Sequence, residues 1–378
     1  MTSAAGATYQ KSTLVFKYFL IFLVFFVSTH PSVAKVDSIA VESREIVMDG
    51  KLFGAQEYGP YELIRGTIYF SFDPSSPMNQ NITDLALAPR NKYGRVEASS
   101  DLVVLKPVRD GKSALTALVE VSNRGSKFIP SYFNQATSSR MSVNNEAWFG
   151  DGLVMRKGLT IIWVGWQFDV PDNQGNLSAS VPIAQKPDGE VIKGLVRSDW
   201  VVDDSTHTLK LGHRNLNGYP VTDTASAKNI LTVRNGRNAS RKKIPHDNWK
   251  FAQIIENDTL FSDSHIILKD GFTPGKIYEL IYQSANPPVV GLGLGIIRDV
   301  ISYAKYDKTS LFPVDKGLAA GVSQTGRFLR HFLYQGFNVD EQYRKAYDGL
   351  MIMTAGAGRG SFNHRFAQPS RDAHRYSA

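Results

Sequence analysis

Gly317-Leu318-Ala319-Ala320-Gly321-Val322-Ser323-Gln324-Thr325-Gly326-Arg327-Phe328-Leu329-Arg330 reads as a strand running without a break into a helix. Residues 318–322 are apolar or small, and beyond Gly326 the residues Phe328, Leu329, Phe332 and Leu333 recur at helical spacing. Ser323 stands at the turn between them. A serine that acts as a nucleophile needs its Oγ exposed on a sharp strand-to-helix corner, with small residues on both sides so that the two limbs pass closely. Gly321 precedes Ser323 by two positions; Thr325 follows by two, where the pattern has glycine, and Gly326 comes next. A helix beginning under Ser323 directs free N–H groups at a developing oxyanion, and the backbone N–H of Gln324 is the first candidate donor. The same residues also fit a plain turn with an N-capping serine. The strand before and the amphipathic helix after favour the nucleophile.

Three more runs resemble the strand half of this unit. Ala114–Ser122 ends in Asn123-Arg124-Gly125, Gly158–Gly165 ends in Trp166-Gln167, and Tyr347–Thr354 ends in small residues. Continuous apolar strands bounded by glycine belong in a parallel sheet covered on both faces. Between the second strand and the Ser323 strand, Pro287–Tyr303 sets Val290, Leu294, Ile297 and Ile301 at helical spacing. The alternation predicts an α/β fold with a mainly parallel sheet and helices on both faces. Val119, Ile161, Ile162, Val164, Ala319 and Ile352 are its expected core residues.

The remaining chain is β-rich. Residues 35–110 form an entry section with strands such as Leu63–Phe72 and Leu102–Val108, punctuated by Asp73-Pro74 and Asp110-Gly111. Residues 111–169 and 286–378 are the two parts of the core. Between them, residues 170–285 read as a β-rich insertion with pieces at Val191–Arg197, His207–Leu211, Ile230–Val233, Ser264–Leu268 and Lys276–Gln283. Residues 1–34 read as a signal peptide: Lys11 and Lys17, an apolar run from Tyr18 to Val27, then Ser32 and Ala34 at a cleavage site. The run is shorter than the roughly 20 residues of a membrane span, so stable membrane insertion is not expected after cleavage. Export is the expected localisation.

Composition narrows the chemistry. The chain has 378 residues, enough for two domains or one with a large insertion, and its 11% aromatic content argues against disorder. There is no cysteine, which excludes disulfides, zinc–thiolate sites and thiol catalysis. The eight histidines form no metal-binding spacing. The net charge of +8 is dispersed, its tightest basic cluster being Arg237, Arg241, Lys242 and Lys243, and no nucleic-acid motif accompanies it. A small-molecule or ester substrate is the expected partner, nucleic acid is not, and the oligomeric state is left open.

Several of these segments together carry a family resemblance: Asn123-Arg124-Gly125, Gly165-Trp166-Gln167, YELIYQSANPPVVGLGLGIIRD at 278–299, GVSQTGRFLRHFLYQGFN at 321–338 and AGAGRGSFNHRFAQPSRDAHRYS at 355–377. They resemble exported, poorly characterised proteins of the α/β-hydrolase superfamily, over residues 45–378. The resemblance implies an esterase-like acyl hydrolase with Ser323 as nucleophile. It also implies a second oxyanion donor from the loop at Arg124 and Gly125, a loop that otherwise reads as a plain turn. In this fold the acid and then the histidine follow the serine on later strands. The chain reads as ending within the domain, so base and acid are expected beyond residue 378. His364 and His374, the latter near Asp372, are the late candidates within the sequence, and His331 belongs to the helix after the nucleophile. No cofactor is expected, because neither Gly291-Leu292-Gly293-Leu294-Gly295 nor Gly356-Ala357-Gly358-Arg359-Gly360 fits a dinucleotide-binding loop; the first suits close helix–sheet packing. The rival readings are a non-catalytic binding protein on the same scaffold and a cofactor-dependent oxidoreductase.

Overall fold

The structure is a computed structural model that describes Met1 and residues 35–53, 58–108, 115–137, 145–171 and 175–371. Apart from Met1, the expected signal peptide therefore lies outside the described residues. In chain order the strands are β1 (Lys35–Ile46), β2 (Tyr61–Phe72), β3 (Val96–Pro107), β4 (Thr116–Val121), β5 (Thr160–Val164), β6 (Ala179–Ser180), β7 (Lys193–Val201), β8 (Thr206–Lys210), β9 (Ile230–Arg234), β10 (Lys242–Lys243), β11 (Trp249–Ile255), β12 (Asp258–Phe272), β13 (Ile277–Ala285), β14 (Lys316–Val322) and β15 (Gly349–Met353). The helices are α1 (Ile129–Phe133), α2 (Glu146–Phe149), α3 (Leu153–Arg156), α4 (Leu292–Tyr306) and α5 (Gln324–Tyr334).

The largest sheet has the order β1-β2-β3-β5-β4-β14-β15, with β6 beside β3. Strand β4 pairs in parallel with β5 (Val119 opposite Ile162) and with β14 (Val119 opposite Ala319). β14 pairs in parallel with β15 (Gly321 opposite Ile352). The N-terminal strands are antiparallel and join this block through β3, where Val104 faces Ile162. The sheet is thus mixed, which corrects the expectation of a mainly parallel one. Apolar runs bounded by glycine mark the buried strands but say nothing of the direction of a neighbour some sixty residues away in sequence.

Strand side chains alternate between the two faces. Val104, Val119, Ile162, Val164 and Ala319 share one core with α4, α5 and apolar residues of the 170–285 region, among them Val196, Leu231 and Tyr282. Their neighbours Val103, Leu118, Ile161, Trp163, Ala320 and Val322 form a second core with Phe128, Trp148, Phe149 and Met155. Both long helices lie on the first face, while helices of only 4 or 5 residues border the second. Helices of comparable length on both faces are not observed among the described residues. Of the expected core residues, Ile352 alone is only partly buried, on the terminal strand of the order.

Residues 170–285 supply two further antiparallel sheets, β10-β9-β13-β7 and β11-β12-β8. Close packing of α4 requires glycine in its first turn. A Cβ on Gly293 would come within 2.4 Å of the Trp166 carbonyl oxygen, and one on Gly295 within 2.5 Å of the Phe72 ring. These contacts join α4 to the end of β5 and to β2. The buried Arg298 guanidinium holds the next turn, donating to Asp299 at 2.6 and 3.0 Å and to the Met78 carbonyl at 3.1 Å.

Candidate active site

Strand β14 ends at Val322 and α5 begins at Gln324, which leaves Ser323 alone to turn the chain. It does so with φ 57° and ψ −107°, a region that an L-residue occupies only under strain. Its N–H donates to the Met353 carbonyl at 2.9 Å, and its carbonyl accepts from the Arg327 N–H at 3.0 Å. The side chain is exposed, whereas Val322, Gln324 and Thr325 are buried.

The limbs of the turn touch. A Cβ on Gly321 would lie 2.5 Å from the Thr325 carbonyl oxygen, and one on Gly326 would lie 2.6 Å from that of Met353. Thr325 occupies the position where the pattern has glycine, and its hydroxyl is used: Oγ1 accepts from the Val322 N–H at 2.9 Å and donates to the Val322 carbonyl at 3.2 Å. The departure in sequence thus adds a clasp across the corner.

The loop after β4 reaches the same corner. Asn123 Nδ2 donates to the Val322 carbonyl at 3.2 Å. Arg124 has φ 51°, and its N–H donates to Gln167 Oε1 at 3.0 Å. Gly125 packs against Asn176 and Leu177, and its carbonyl accepts from the Leu177 N–H at 2.9 Å. The glycine therefore serves a close approach between protein segments. Trp166 ties these pieces together: its indole N–H donates to the Ser122 carbonyl at 2.8 Å, and its ring lies 4.2 Å from that of Phe328 on α5.

Asp169, Pro369 and Ser370, which the sequence did not single out, complete the surroundings. Gln324 Nε2 donates to the Pro369 carbonyl at 2.5 Å. Arg124 donates to the Ser370 carbonyl through Nε at 3.1 Å and Nη2 at 3.0 Å. Gln167 Nε2 donates to Asp169 Oδ1 at 3.1 Å and to Ser370 Oγ at 3.0 Å, and the Ser370 N–H donates to Asp169 Oδ2 at 2.9 Å. Gln167, Asp169, Gln324 and Ser370 are all buried. Burial pushes the Asp169 carboxyl above its ordinary range, opposed by the hydrogen bonds from Ser370 and Gln167. The usable signal was the alternation in Gln167-Phe168-Asp169, which sets two polar side chains on one side of an extended segment.

His331 lies on α5, its pKa lowered by burial and by the charges of Arg359 and His364. His364 is at the surface with Nε2 3.2 Å from Ser361 Oγ, and partial desolvation and Arg371 lower its pKa. Among the described residues no hydrogen bond joins a histidine to Ser323. His374 and Asp372 lie outside the described residues. The described residues also contain no group of three or more His, Asp or Glu side chains that could hold a metal ion. The second glycine run is tied to α5, because the Arg330 guanidinium donates to the carbonyls of Gly356, Ala357 and Gly358.

A mixed sheet with a strained serine between strand and helix defines a class, and comparison with known families agrees. Residues 248–377 match a family model described as an alpha/beta hydrolase domain. The match covers about a third of the chain, and over those residues it supports membership of the α/β-hydrolase superfamily. No curated protein and no solved structure matched it.

Proposed function

We propose that the chain is an exported serine hydrolase that cleaves ester or amide bonds through Ser323. The observation that carries this reading is the Ser323 backbone, at φ 57° and ψ −107°, with an exposed side chain between the close-packed Gly321 and Gly326. Such a corner holds the hydroxyl clear of the sheet and places it against the first turn of a helix.

In this reading a base takes the Oγ proton as Oγ bonds to the acyl carbon, and the proton then passes to the leaving group as the carbon–heteroatom bond breaks. Water repeats the sequence on the acyl-enzyme and regenerates Ser323. The Gln324 N–H is one oxyanion donor. The Arg124 N–H is engaged with Gln167, so the Gly125 N–H is the donor assigned to the second loop. The base and its acid are assigned outside the described residues; His374 is one such candidate, and His364 is the alternative inside them. Export rests on the apolar run from Tyr18 to Val27 and the Ser32/Ala34 site.

A second reading is a binding protein on the hydrolase scaffold, since a fold does not fix an activity. A fluorophosphonate probe separates the two. Covalent labelling at Ser323 supports the hydrolase, and an unlabelled, folded protein supports the binding scaffold.

A further inference from the structure

We propose that Asp169 is a positioning residue for the acyl-transfer site, acting through the Gln167 side chain and the main chain of Ser370. This rests on the reading of Ser323 as nucleophile.

Three chain segments meet beside the corner: the loop after β4, the first turn of α5, and the stretch at Pro369–Ser370. Each is held by hydrogen bonds that trace back to one carboxylate. Asp169 accepts from the Ser370 N–H at 2.9 Å, which fixes that peptide. The Ser370 carbonyl then receives the Arg124 guanidinium at 3.1 and 3.0 Å, and the adjoining Pro369 carbonyl receives Gln324 Nε2. The packing leaves little room for solvent to replace these bonds, since the cavity bordering Asp169, Ser370 and Arg371 has a volume of about 10 Å³, at the lower limit for a single water.

The polarity of the network depends on the carboxylate. Both Asp169 oxygens accept from N–H donors, so Gln167 must present Nε2 to Asp169. That orientation turns Gln167 Oε1 toward Arg124, where it accepts the backbone N–H at 3.0 Å. With a donor in place of one carboxylate oxygen, either the Ser370 N–H or the Gln167 amide loses its acceptor at position 169; if Gln167 flips to relieve this conflict, two N–H groups meet at Arg124. The loop assigned to the second oxyanion donor is thereby tied to the pair of acceptor oxygens at position 169.

The argument fixes a pattern for three variants of the full chain. Asp169→Asn introduces the conflict. Gln167→Glu sets a second carboxylate against Asp169. Combining the two substitutions moves the acceptor from one position to the other. A carboxylate is then no longer needed at position 169, because the one introduced at position 167 accepts both from the Arg124 N–H and from the new amide. We expect each single variant to slow fluorophosphonate labelling of Ser323 by about 10²-fold, the scale for a misplaced catalytic group, and the double variant to recover most of that loss. Amide hydrogen exchange gives a readout that does not depend on chemistry at Ser323: protection at Arg124 and Ser370 should fall in each single variant and return in the double. Single variants that label at the wild-type rate, or a double variant no better than the product of the singles, overturn the proposal. So does a double variant that fails to fold. If the wild-type protein is not labelled at all, the reading of Ser323 fails, and exchange at Arg124 still decides the role of Asp169.

Discussion

Thr325 Oγ1 lies 2.9 Å from the Val322 nitrogen and accepts its hydrogen, so that the first turn of α5 is clasped to the last residue of β14 across Ser323. The Thr325 side chain is fully buried there. Replacing it by Val keeps the shape but takes the acceptor from the Val322 N–H, at a cost of about 1–3 kcal/mol. Thr325→Ser keeps the oxygen and should cost less, about 1 kcal/mol, the scale of one lost buried methyl group. Urea denaturation of the pair measures the difference, and a larger loss in Thr325→Ser than in Thr325→Val would mean that the methyl group, rather than the hydrogen bond, holds the corner.

Ile162 sits on β5 between β3 and β4, opposite Val104 and Val119, with no exposed surface. Truncating it to Ala removes buried methylenes from a site confined on two sides by strands. The expected loss is about 2–5 kcal/mol. A loss below about 1 kcal/mol in chemical denaturation would contradict the burial described.

Much of the parallel block was legible in the sequence because its signals are local. The Ser323 corner, the strands at 116–121, 160–164 and 316–322 and helix 292–306 follow from short-range periodicity and glycine placement. Sheet order did not follow, because the antiparallel junction of β3 with β5 is a contact between distant segments that no local pattern encodes. The site's polar surroundings were hidden for the same reason: Asp169 and Ser370 are 201 residues apart. Gln324 was read for its backbone N–H alone, while its side chain reaches Pro369. Thr325 looked like a departure from a motif, and only the geometry shows its hydroxyl in use.

Glu120 on β4 is fully buried and accepts from the N–H groups of Phe128 and Ile129 and from the Trp163 indole. Burial dominates these bonds and raises its pKa to about 7. A carboxyl whose folded pKa lies above its unfolded value binds its proton more tightly in the native state. Its stabilising contribution is full below about pH 4.5 and is lost as pH rises toward 7. Wild-type stability relative to Glu120→Gln should therefore fall by about 3 kcal/mol between about pH 4.5 and pH 8. Denaturation of both proteins at the two pH values cancels the other carboxylates, and a constant difference would overturn the assignment.

Ser323 carries the last prediction, in which function and strain have opposite signs. Its φ of 57° and ψ of −107° cost of order 1–3 kcal/mol for a residue with a Cβ. Alanine keeps the Cβ, so Ser323→Ala should abolish probe labelling and turnover while leaving stability nearly unchanged. Glycine relieves the strain but gives the unfolded chain more freedom, an offset of about 0.4–1 kcal/mol. Ser323→Gly should thus also abolish labelling and yet raise stability, by about 1 kcal/mol. The pair is read by fluorophosphonate labelling alongside urea denaturation. Activity retained in Ser323→Ala would remove Ser323 as the nucleophile. A glycine variant less stable than the alanine variant would show instead that the corner is unstrained, and with it would go the observation on which the nucleophile assignment rests.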